Sequence, residues 1–139
     1  MATLKSLGTR MRKLDKSIRT KVNRLAQQTA SDVLTIVTTD GVTKVDTSEA
    51  ISNWRIGLGS KDPSTRSPFF PGKAGLTAAA SRAEVRTVGR IKIKSKLPGQ
   101  EIHISNSVDH IGVAFPENVE RVLQIPRQKL RERIERLKL

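Results

Sequence analysis

The sequence predicts an α+β domain: a long N-terminal helix and further helices packed on a small antiparallel sheet, with a helical C-terminal tail. Three observations carry that class. Leu4, Leu7, Met11, Leu14, Ile18, Val22 and Leu25 recur at intervals of three and four, the period of one helical face. In SNWRIGLGS the period changes, and Trp54, Ile56 and Leu58 alternate as in a half-buried strand. Helical signals then return in the Ala-rich LTAAASRAEVRTV and in RQKLRERIERLKL, so helices flank the strands. At 139 residues the chain reads as one domain, 1–139. Within it lie a basic amphipathic helix (1–39), a sheet-and-loop core (42–112) and a helical basic tail (113–139).

Taken in order, the first helix has Gly8 as its candidate break, continues through Val33, Leu34 and Val37, and ends at the Asp40-Gly41 turn. Asp46, Thr47 or Ser48 caps a short helical turn through Ile51. Pro63, Pro68, Pro71, Gly72 and Gly75 make the next segment a long irregular loop. The Ala-rich helix is expected to stop at Gly89, because RIKIKSKL alternates Ile91 and Ile93 with Lys92 and Lys94 like a strand with one wet face. Pro98-Gly99 would then turn that strand into EIHISNS as a hairpin. Pro116 ends a further irregular piece, and a helix begins near Glu117. Pro126 predicts a kink or a new start before Leu130, Ile134 and Leu137.

Composition narrows the function. Hydrophobic residues make up 36% and aromatics 3%, so the core rests on Leu, Ile and Val and is thin for the length. Twenty-six basic against 13 acidic residues give a charge of +13, which attracts polyanions or acidic proteins and opposes self-association unless the charges point away from the contact. The absence of cysteine excludes disulfides, thiolate metal sites and cysteine nucleophiles, and fits a reducing compartment. No apolar run approaches a membrane span, and MATLKSLGTRMRK lacks the apolar block of a signal peptide, so the expectation is a soluble protein made in a cytoplasm.

Catalytic chemistry has little to stand on. His103 and His110 come with no ligand spacing or nucleophile–base pair, and the acidic residues are scattered singly. FFPGKAG lacks the G-x-x-x-x-G-K-[ST] spacing that wraps amides round a phosphate. The expectation is therefore no catalytic, metal or cofactor residues, no cofactor and no small-molecule substrate. Basic residues are a better lead. Lys13, Lys16, Arg19, Lys21 and Arg24 on the first helix are candidate contacts for DNA or an acidic partner. With few aromatics for stacking and no helix-turn-helix or zinc pattern, any DNA contact would be nonspecific.

Three segments, in order, carry a resemblance. VTKVDTSEAISNWRIGLGS is similar, at Val45, Asp46, Thr47, Ser48, Ser52 and Trp54, to the V-D-T-(small)-x-x-x-S-x-W segment of the neck and tail-completion proteins of tailed bacteriophages. SPFFPGKAGLTAAASRAE resembles the Pro-Gly-Lys-Gly-type loop and Ala-rich helix that follow in one branch of that family. EIHISNSVDHI resembles its I-x-I-x-N-x-(small apolar)-x-Y-I pattern at Ile102, Ile104, Asn106, Val108 and Ile111, with His110 where Tyr is common. The match covers roughly 42–112. The stretch after Ile111 lacks the Asp-Gly-x-Ser run, and Arg127–Leu139 has no counterpart.

The resemblance implies a non-enzymatic virion protein of the head–tail junction, made in the host cytoplasm. It would assemble as a homo-oligomeric ring and dock on other neck, connector and tail-terminator proteins, with possible nonspecific contact to genome DNA. Phe69, Phe70, Pro71 and Lys73, on a proline-stiffened loop, are the candidate subunit interface, unless the two rings fold back on the sheet near Trp54. Trp54, Ile56, Ile102 and Ile104 are the candidate core. The alternative function is a nonspecific nucleic-acid-binding protein using the basic N-terminal helix.

Overall fold

The computed structural model describes residues 3–39, 42–111 and 119–137. The Asp40-Gly41 turn, Pro116 and the helix start near Glu117 lie outside them. The elements run α1 (Leu4–Val37), α2 (Glu49–Ser52), β1 (Arg55–Leu58), α3 (Ala78–Lys94), β2 (Ile102–Ser105) and α4 (Val119–Glu135). This is the α+β arrangement that the sequence predicts, with a sheet reduced to two antiparallel strands.

Helix α1 is a single run of 34 residues, unbroken at Gly8. A capping box starts it: the Thr3 hydroxyl accepts from the Ser6 amide at 3.1 Å while the Thr3 amide donates to the Ser6 hydroxyl at 3.0 Å. Only the C-terminal part of the helix enters the core. Ala30, Leu34, Ile56 and Ile93 form the central cluster, and Trp54, Leu58, Ile102 and Ile104 pack against it half-buried. The register aligns Ile56 with Ile104 and Leu58 with Ile102, so alternation puts these sheet residues on the face that α1 and α3 cover.

Two expectations fail here. RIKIKSKL is not a strand: α3 runs without interruption to Lys94, and β2 pairs with β1 rather than with a hairpin partner. Ile91 is 66% exposed and Ile93 1%, whereas a strand would turn both to one face. The buried series Ser81, Val85, Gly89 and Ile93 has the helical period, and the Ile–Lys alternation meets it only at Ile93. Gly89 is no helix stop; it lets α3 lie against α1, where an added Cβ would collide with the Leu34 side chain. At Pro126, in turn, no new helix starts, because the residue lies inside α4. Its ring is fully buried, and that packing offsets the backbone hydrogen bond a proline cannot make.

Helices α1 and α3 lie antiparallel and cap each other. Arg82 Nε donates to the Thr38 carbonyl at 2.6 Å, and Arg86 reaches the Thr35 carbonyl at 3.0 Å and the Thr38 hydroxyl at 2.8 Å. At the other end, Gln27 donates to the Ile93 and Lys94 carbonyls, both at 3.2 Å, and Asn23 accepts from the buried Lys96 Nζ at 2.6 Å. Helix α1 has no basic residue in its own last turn, so α3 supplies the positive charge that its carbonyl end favours. Helix α4 joins α1 through Arg133 and Asp32, 2.6 Å apart.

Gly57 in β1 is required by a close approach: the chain after β1 folds back so tightly that a Cβ would strike the Ser60 carbonyl and sit 2.8 Å from the Asp62 nitrogen. Backbone cannot swing aside as a side chain can. Gly57→Ala should therefore destabilise the protein by about 1–3 kcal/mol, read as the urea midpoint. An unchanged midpoint would show that the turn relaxes freely.

Candidate functional site

The segments that carry the motifs meet in space, and their polar residues act as fasteners for the long loop. Asp46 accepts the Ala74 amide at 2.8 Å through its carboxylate and the Gly75 amide at 3.0 Å through its carbonyl. Ser48 and Thr77 share a hydroxyl contact of 2.9 Å. Ser52 accepts the Phe69 amide at 3.1 Å, and Asn53 both accepts from the Arg66 amide at 2.7 Å and donates to the Arg66 carbonyl at 3.0 Å. Asn106 donates to the Ala50 carbonyl at 2.7 Å, tying the segment after β2 to α2. Ser48 (φ 68°) and Ala74 (φ 55°) are held in the left-handed region, a conformation non-glycine residues adopt only when such contacts impose it.

Within that frame the two phenylalanines part company. Phe69 is half-buried, lines a hollow of about 230 Å³ with Trp54, Val85 and Gly89, and has the Arg66 guanidinium 4.6 Å above its ring. Phe70 is 44% exposed although Ser81 holds its backbone, and Pro71 and Lys73 beside it are exposed. Of the four candidate interface residues, Phe69 thus packs toward the sheet and the other three face outward. Of the candidate core residues, Ile56 is buried and Trp54, Ile102 and Ile104 pack on the central cluster; Trp54 Nε1 also donates to the Thr43 hydroxyl at 3.1 Å.

The first half of α1 carries what sequence reasoning overlooked as a surface. Its apolar face has the period of a packing surface, yet Leu4 is 89% exposed and Met11 63%, and Leu7, Leu14 and Val22 each about half. The stripe spans about 28 Å of helix. At Val22 and Leu25 it runs into an open apolar groove of about 810 Å³ between α1, β2 and α4, whose walls include Ile102, Ile104, Leu123 and Leu130. The helix's other side is basic: Lys13, Lys16, Lys21 and Arg24 line one shallow depression with Ser17 and Thr20, while Arg19 is tied to Asp15 at 3.1 Å. Also unforeseen was the arginine row of α3, Arg82, Arg86 and Arg90, although its four-residue spacing is plain in the sequence.

His103 faces Glu101 at 3.1 Å, and His110 lines a depression with Lys44, Asp46 and Glu49. Among the described residues no group of three or more His, Cys, Asp or Glu could hold a metal, and no helix is long and apolar enough to cross a membrane. Comparison with known protein families, with curated proteins and with solved structures returned no match for this chain.

Asp62 anchors the turn after β1. The Ser64 hydroxyl and amide, both donating to its carboxylate, hold it below the ordinary value of 3.8, and Arg55, 3.2 Å away, adds to that against the opposing effect of burial. A lowered folded-state value means stability that is present above the unfolded value and lost as pH falls through the folded one. Asp62→Asn should unfold at lower urea than the wild type near neutral pH and match it in strong acid. A gap that persists in acid would assign the effect to shape rather than charge.

The phenylalanines predict separable effects. Phe69→Ser should cost about 1–3 kcal/mol of folding stability, less than a fully buried phenylalanine would. Phe70→Ser should leave the melting transition in place and weaken self-association, read by analytical ultracentrifugation. Equal loss of stability in both would return Phe70 to the core.

Proposed function

We propose that the chain is a structural, non-catalytic assembly subunit of the phage neck and tail-completion type, packing with copies of itself into a ring at the head–tail junction. There it would dock on neighbouring connector and tail-terminator proteins. The observation that carries this reading is the apolar stripe of α1. An amphipathic helix in water gains most of its stability by burying its apolar face, and five of these side chains are largely open to solvent. Fully burying one such aliphatic side chain is worth roughly 1.5–3 kcal/mol, so a partner surface has much to gain here.

The form of the contact follows from the same surfaces. The N-terminal part of the stripe, Leu4 to Leu14, and the groove are different patches of one subunit, and a contact between different patches is heterologous, the kind that can close a ring. The resemblance to neck proteins adds support, because its motif residues gather around the loop that presents Phe70. Phe70 and the stripe would then both be buried by neighbours.

Native mass spectrometry of the full-length chain tests this. The wild type should form a ring-sized oligomer, and Leu7→Gln with Leu14→Gln should give monomer with unchanged helical circular dichroism. Imaging of purified virions should place the protein between portal and tail. A wild-type monomer that is also absent from virions would overturn the proposal.

A further inference from the structure

We infer that α1 and α3 together form one continuous track for the sugar–phosphate backbone of duplex nucleic acid, running from Arg82 to Lys13. In the C-terminal half of α1, the track is supplied by α3. Arg82, Arg86, Arg90 and Lys94 follow at four-residue intervals on one face of α3, and the arginines reach Thr38, Thr35 and the Thr35 hydroxyl of α1 in turn. In the N-terminal half, α1 continues the line itself. Arg24 lines one depression with Arg90 and Lys94 and the next with Lys16 and Lys13.

The middle of the row concentrates positive charge. Among the described residues neither Arg86 nor Arg90 is ion-paired to a carboxylate. Asp32, at the edge of the junction, is taken up by Arg133. Burial first, and then the like charges of Arg82 and Arg90, pull the Arg86 guanidinium below its usual range; it remains protonated at neutral pH. Arg86 spends its donors on α1, whereas Arg90 gives one N–H to Thr35 and is otherwise exposed.

The shape selects the partner. Laid end to end, twelve residues of α3 and eleven of α1 amount to about 35 Å of helix, roughly one turn of a duplex, so the row meets each of the two backbones where it passes. A duplex offers evenly spaced negative charge over that length, and guanidinium forks suit phosphate oxygens. A globular protein's carboxylates come mixed with cations. Among the described residues no aromatic side chain lines these depressions to stack a base, so double strands should bind better than single strands. The track lies on one subunit and does not rest on the ring.

The test is fluorescence anisotropy of the full-length chain with a short labelled duplex of arbitrary sequence, across a salt series. Arg90→Gln with Lys94→Gln should weaken binding at low salt at least about tenfold and flatten the salt slope by about 2. Lys61→Gln with Arg131→Gln removes the same charge from exposed sites off the line and should keep the wild-type slope. If the first pair loses helical signal, Lys94→Gln alone carries the test, with a slope change of about 1. Leu7→Gln with Leu14→Gln should still bind, which separates this inference from the assembly proposal. Absence of binding at low salt, equal losses in the two charge pairs, or displacement by poly-glutamate as effective as by unlabelled duplex would each overturn it.

Discussion

The contact of Leu34 with Gly89 sets the geometry of the whole chain. Leu34 is fully buried, and only a residue without a side chain at position 89 leaves it room between α3 and Ile56 of the sheet. Because the helices meet so closely and run antiparallel, the open carbonyl end of each falls beside polar side chains of the other. Arg82 and Arg86 take the end of α1, and Asn23 and Gln27 take the end of α3. A helix leaves its last four carbonyls unsatisfied, and a buried one left bare costs about 1–3 kcal/mol. Separating the pair would forfeit apolar burial and uncap both ends together.

A core this small has to be supplemented, and the supplement is polar. Asp46, Ser48, Ser52 and Asn53 hold a long loop to α2 and its flanks, and Asn106 ties the segment after β2 to α2, by short hydrogen bonds, most of them to backbone. Each is worth little net, but each satisfies a group whose burial would otherwise be costly. This explains why the recognisable residue pattern of the chain is one of small polar residues rather than of large apolar ones. It is the signature of a fastened loop.

The parts of this design that were legible in the sequence were those with long periodicity. Thirty-four residues of α1 follow from a repeated apolar interval, and the strand after Trp54 follows from alternation backed by β-branched and aromatic residues. The end of α3 is hard to read because a four-residue Ile–Lys alternation mimics a strand locally, and Gly89 has the composition of a stop but serves as a contact. The apolar stripe was visible but its exposure was not: periodicity reveals that a face is apolar, never whether anything covers it. The arginine row was visible too. That it falls in line with the basic face of α1 depends on an antiparallel packing that no local pattern encodes.

Helix α1 therefore does two jobs along one axis. Its last third is consumed by the core, while its first two thirds keep an apolar face and a basic face on different sides. If copies pack through the apolar face, the basic faces of neighbours approach one another, and a chain of +13 charge resists that. A polyanion lying along the basic face removes the resistance. On these two readings, self-association and phosphate binding are thermodynamically linked: whatever affinity one adds to the other is returned in equal measure. The linkage requires no conformational change, only that the two partners be recognised by different sides of α1, with α3 extending the basic one.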